Sequence, residues 1–69
     1  MGEEEQTMHI VYRDKEWFVD QEMTVNQMLK YLKLLPESVL VVRNGQLVAE
    51  DQKVQPGDEI KVVSVISGG

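Results

Sequence analysis

The sequence predicts an α+β domain in the order β-β-α-β-β-β, with a mixed sheet of about five strands and one helix packed on one face. Three observations predict it. Residues 8–20 divide into two β-prone runs around a short polar break, Thr24 opens a helix with one apolar stripe, and β-prone runs resume at Val39. Turn signals at Asn44-Gly45 and Pro56-Gly57 separate the last three runs. A single helix covers one face of such a sheet, and the other face is left open.

Composition bounds what the chain can do. At 69 residues it forms one small domain with a thin core, burying about 60% of the surface its unfolded form exposes. There is no cysteine to build a disulfide or a thiolate site, and the one histidine, His9, cannot assemble a metal site alone. The net charge of −5 repels phosphate backbones, so nucleic acid is not an expected partner. That acidity keeps a small protein soluble, and it also has the sign to steer the chain toward a basic partner surface. No apolar stretch approaches the roughly 20 residues that span a membrane, so a soluble, cytoplasmic protein is expected.

Residues 1–7, with three consecutive glutamates, show no periodicity and read as a disordered N-terminal arm. From Met8 to Arg13 the pattern alternates, with Met8, Ile10 and Tyr12 on one face and His9, Val11 and Arg13 on the other. Asp14-Lys15 breaks the run, and Glu16 to Asp20 returns as the second arm of a hairpin. His9, opposite the apolar set, reads as a solvent-side strand residue.

Thr24-Val25-Asn26-Gln27 fits a capping box, and Met23 and Met28 are placed to form a hydrophobic staple around it. Val25, Met28, Leu29 and Leu32 make the apolar stripe, with Lys30 and Lys33 off it. Pro36 is expected to stop the helix. Val39 to Arg43 is an almost wholly apolar strand. Asn44-Gly45 suits a type I′ turn into a short strand, Gln46 to Ala49. Residues 50–55 read as an irregular crossing that drops Val54 inward, and Pro56-Gly57 suits a type II turn.

The last thirteen residues organise the rest. Ile60 to Ile66 is the composition of a largely buried strand, and it runs into Ser67-Gly68-Gly69. The domain is therefore drawn as 8–66 with a flexible tail at 67–69. A buried strand that delivers a diglycine to the surface points to the α-carboxylate of Gly69 as the working group. If Ile60 and Val62 face the helix, alternation puts Lys61, Val63 and Val65 on the helix-free face as a partner-docking surface. Val11 and Val41 are the candidates to extend it.

These residues resemble the sulfur carriers of the ThiS and MoaD type, within the ubiquitin-like β-grasp superfamily. The resemblance covers residues 8–69. It rests on Met8 to Tyr12 with Asp14, on Thr24-Val25 with Met28-Leu29 and Leu32, on Val39 to Asn44-Gly45, and on Pro56-Gly57-Asp58-Glu59-Ile60 through Val65 to Gly69. The short chain and its Val-Ile-Ser-Gly-Gly ending are closer to ThiS. The Pro and aromatic residues that often precede the diglycine in MoaD-like chains are absent.

The resemblance implies a carrier that is not itself an enzyme and holds no cofactor or metal. An E1-like adenylyltransferase would use ATP to convert the Gly69 carboxylate to an acyl-adenylate. A sulfur donor of the cysteine desulfurase or rhodanese type would then produce a thiocarboxylate for a sulfur-accepting synthase. A carboxylate needs such activation because its charge repels nucleophiles and its leaving group would be oxide. Gly68 and Gly69 lack Cβ atoms that would jam a narrow, water-excluding channel, and Ser67 is small enough to continue the thread. A thiamin-like pathway is the first expectation. A molybdopterin-synthase small subunit, a protein modifier or a tRNA-thiolation carrier needs the same end group, and a plain interaction module would need none.

Overall fold

A computed structural model of the chain describes residues 6–65. Five strands form one mixed sheet: β1 (Met8–Tyr12), β2 (Lys15–Val19), β4 (Val39–Arg43), β5 (Gln46–Val48) and β7 (Glu59–Ser64), in the order β2-β1-β7-β4-β5. The last strand thus lies in the middle, parallel to β1 and antiparallel to β4. Two further two-residue strands, β3 (Met23–Thr24) and β6 (Lys53–Val54), pair in a separate small sheet at the start of helix α1 (Val25–Tyr31). The crossing at 50–55 is therefore more regular than its polar sequence suggests. Val54 is fully buried, as expected for its one apolar side chain.

The core is one layer between the helix and one sheet face. Met8, Ile10, Val39, Val41, Ile60 and Val62 face Val25, Met28, Leu29 and Leu32, all buried. The helix begins as the sequence dictates. The Gln27 amide donates to Thr24 Oγ1 and the Thr24 amide to Gln27 Oε1, both at 3.1 Å, closing the capping box.

The helix ends earlier than Pro36, and for a different reason. Leu32 caps it, Lys33 turns left-handed at φ 63°, and the Leu34 amide donates to the Leu29 carbonyl at 2.8 Å. With the Lys33 amide on the Lys30 carbonyl, this is a Schellman ending. Leu34 packs on the core beneath it. Pro36 instead opens a 3₁₀ turn, Pro36–Ser38. The first hairpin is also shifted by one residue: its two-residue turn is Arg13-Asp14, and Lys15 pairs with Tyr12. Arg13 takes φ 59° there.

At Asn44-Gly45 both residues have positive φ, 51° and 88°, as a type I′ turn requires. Gly57 at φ 98° and the Asp58 amide on the Gln55 carbonyl at 3.1 Å make the type II turn. Asp58 is the one buried charged residue of the described chain. Its carboxylate accepts from Arg43 Nε at 2.8 Å, from the Gln55 amide at 3.0 Å and from Asn44 Nδ2 at 3.2 Å. Burial pushes its pKa up, but these three hydrogen bonds and the Arg43 charge outweigh it, holding the carboxyl below its ordinary 3.8.

Two expected outcomes follow from this packing. Leu29→Ala should cost about 2–5 kcal/mol in urea denaturation, since Leu29 is buried against both sheet and helix ending. A depressed folded-state pKa stabilises above the unfolded value, so the Asp58 contribution should be complete at neutral pH and lost as pH falls below about 4. Asp58→Asn should therefore lose about 1–3 kcal/mol at neutral pH and show a shallower acid limb.

Candidate functional site

Strand β7 carries two sets of side chains. Ile60 and Val62 are buried under the helix, whereas Lys61 and Val63 are exposed, as is Val65 just past the strand, Val63 at 45% and Val65 at 49%. Register places Val63 beside Leu40, and Lys61 between Val11 on β1 and Val42 on β4, with Leu47 beyond Val42. Leu40 and Leu47 are exposed at 46% and 65%. The helix-free face thus presents an aliphatic surface with Lys61 at its centre, and no described segment covers it.

Val41, expected to extend this face, does not. It is only 4% exposed and packs in the core, opposite Val62. Leu40 and Val42 take the outer positions instead. Val39-Leu40-Val41-Val42 is apolar throughout, so it contains no polar residue to show which parity faces water. Leu40, Val42, Leu47 and Phe18 were missed for this reason or for lack of a phase reference. Pairing with β7 supplies the reference that composition lacks.

The other half of the open face is polar and aromatic. His9 stacks on Phe18 with ring centroids 4.8 Å apart and planes within 6°. Its two ring nitrogens lie 3.3 Å from Glu59 Oε2 and Glu16 Oε1. The carboxylates approach opposite sides of the ring and do not converge on a point, so this is a strand-bridging cluster and not a metal site. Among the described residues no group of His, Cys, Asp or Glu is placed to hold a metal ion. A groove between α1 and strands β4 and β5, lined by Val25, Leu29, Pro36, Val39 and Val48, is apolar apart from Glu50 and has no converging donors for a polar substrate.

Beyond Ser64 the chain leaves the sheet. The Val65 amide donates to the Ser38 carbonyl at 3.0 Å, directing the chain past the 3₁₀ turn. Ser67, Gly68 and Gly69 lie outside the described residues, as do Ile66 and the arm up to Glu5. Thr7, the last residue assigned to the arm, accepts from the Gly57 amide at 3.1 Å.

A mixed five-stranded sheet with one helix on one face, a central last strand and an open aliphatic face defines the ubiquitin-like β-grasp class. The chain belongs to the ThiS family of sulfur carriers, whose family model matches residues 3–69. The crystal structure of a thiamine biosynthesis protein (ThiS) from Geobacter metallireducens is similar, with a TM-score of 0.64 and 26% identity over 90% of this chain and 100% of that one. No helix among the described residues is long and apolar enough to cross a membrane.

Val63→Asp should leave the unfolding free energy from urea denaturation within about 0.5 kcal/mol of the parent, because the side chain already faces water. It should weaken partner binding by about 1–3 kcal/mol, as a charge is desolvated in an apolar contact. Unfolding in place of lost binding would contradict the outward position of Val63.

Proposed function

We propose that this chain carries sulfur on its C-terminal carboxylate for thiamine biosynthesis, in the cytoplasm, and that all catalysis resides on its partners. The observation that supports the reading most is the family match over residues 3–69, which spans the central strand and the diglycine together. The thiamine assignment draws on the similar protein from Geobacter metallireducens.

In this reading an E1-like enzyme docks on the aliphatic face and receives residues 66–69. The Gly69 carboxylate attacks the α-phosphate of ATP, forming an acyl-adenylate and releasing pyrophosphate. The terminal sulfur of the donor's persulfide adds at the acyl carbon and the acyl–oxygen bond to AMP breaks, and a thiol reductant then cleaves the resulting acyl disulfide, becoming a disulfide itself. The products are a Gly69 thiocarboxylate and AMP. The thiocarboxylate is anionic at neutral pH and a soft nucleophile, suited to passing sulfur to an electrophilic precursor on the accepting synthase. The chain binds neither ATP nor a metal in this scheme. It supplies a docking surface and an end group.

Mass spectrometry of the intact protein, purified from its native cell, tests the reading. A subpopulation heavier by the difference between sulfur and oxygen, located on the C-terminal peptide, is expected. Lysine-linked adducts bearing a Gly-Gly remnant would instead mark a protein modifier. With an adenylating partner, Gly69→Ala should sharply reduce ATP–pyrophosphate exchange while binding persists, and deletion of Gly68 and Gly69 should leave stability within about 0.5 kcal/mol.

A further inference from the structure

The end of the sheet where β7 leaves is cationic, although the chain as a whole carries −5. Parallel pairing of β1 with β7 brings the Arg13-Asp14 turn and Lys15 to this end. Val39 pairs with Ser64, so the 3₁₀ turn Pro36–Ser38 lies there too, fed by the helix ending at Lys33. Arg13, Lys15, Lys30 and Lys33 therefore lie at the exit end, against Asp14 and Glu37 among the described residues, with Glu16 one residue farther in and turned to His9. All four bases are exposed, and none has an ion-pair partner among the described residues. The other described acids, such as Asp20, Glu22, Asp58 and Glu59, lie toward the far end or the middle of the sheet.

Backbone conformation marks two of these cations independently. Three described non-glycine residues have positive φ: Asn44, Arg13 and Lys33. Asn is ordinary there, whereas Arg and Lys are not, and glycine would fill either position without strain. Lys33 occupies the residue after a helix C-cap, the commonest position for glycine in a Schellman ending. The Arg13 guanidinium is held 5.3 Å from the centre of the Tyr12 ring. The fold thus retains long cationic side chains at two positions where backbone geometry favours none.

We propose that Arg13 and Lys33, with Lys15 beside them, dock against an acidic rim around the mouth of the partner channel that receives residues 66–69. The inference rests on the carrier reading above. Reach favours a rim over the nucleotide: four extended residues span about 14 Å, so with the tail threaded extended into the channel the α-phosphate joined to Gly69 would lie farther out than an arginine at the exit reaches. A polyanion such as RNA would meet the net charge of −5 and be repelled at every other face. An acidic protein rim is met first and locally by the cations. Its field is effective within a Debye length of about 10 Å at 0.1 M salt.

The test compares the parent with the double variant Arg13→Gly, Lys33→Gly, titrating each into a purified E1-like adenylating enzyme with MgATP at low and high salt. The double variant is expected to bind roughly threefold to thirtyfold more weakly at low salt, with a flatter salt dependence. Its thermal midpoint should be unchanged or higher, since left-handed strain is relieved. Exchange at saturating carrier should be unchanged, and Arg13→Lys should retain parental affinity. Lys53→Gln, at the far end, should also bind as the parent does. Unchanged affinity and salt slope in the double variant, with normal exchange, would overturn the rim alone. A rise in KM for ATP without loss of carrier affinity would assign the cations to the nucleotide, and charge-dependent binding to an RNA duplex would assign them to nucleic acid. Absence of exchange by the parent would strike the carrier reading itself.

Discussion

The structure depends on one buried carboxylate. Asp58 sits where β7 begins, and each of its three donors belongs to a different piece of chain: the 55–58 turn, the end of β4 and the Asn44 side chain of the type I′ turn. Asn44 returns the tie through its own Oδ1, which accepts from the Glu59 amide at 2.9 Å. The His9 amide donates to the Asp58 carbonyl, so β1 is tied to the same point. An unpaired charge buried to this degree would be strongly destabilising, and the cost is avoided only when all these segments are in place. The carboxylate thereby acts as a geometric condition on the fold.

That condition fixes the register of β7 against both neighbours. Register matters here because side chains alternate, and a slip by one residue would exchange the two faces of the strand. Ile60 and Val62 would then meet water, and Lys61 and Val63 would enter a core only one layer thick. Holding the strand at its entrance therefore determines what it presents farther along. The clamp and the exit lie at opposite ends of one central strand, and the residues between them serve the core on one face and docking on the other.

Much of this was legible in the sequence, in proportion to the local contrast available. His9 and Arg13 mark the outer face of Met8 to Arg13, so its inward face could be assigned, and Met8 and Ile10 are buried there. Thr24 and Gln27 announce the helix start because capping is a local reaction of side chain with backbone. The helix end was misread at Pro36 because its real signal is a lysine in a glycine position, held by Leu34 packing on the core. Strands β3 and β6 are two residues each, too short for any period to show. The phase of β4 was hidden by four consecutive apolar residues, and only its pairing with Ser64, Val63 and Val62 reveals that Val41 turns inward. The diglycine was conspicuous, yet it falls outside the described residues, so the structure speaks for its approach and not for its end.

The left-handed residues carry the synthesis one step further. A non-glycine residue in this region costs roughly 1–2 kcal/mol, so Arg13 and Lys33 together set about 2–4 kcal/mol against folding. A domain of this length has in total only about 3–10 kcal/mol of stability at the usual 0.05–0.15 per residue. The opposing contributions are local: the β1–β2 pairing that closes the Arg13 turn, the Tyr12 ring beneath its guanidinium, and the Schellman bonds with buried Leu34 around Lys33. The strand pairing and the Schellman bonds would hold a glycine equally well, so they explain how the strain is tolerated and not why it is there. In a fold with a thin core and no disulfide, the side chains themselves must supply the reason, and both are cations beside the point where the central strand leaves the sheet.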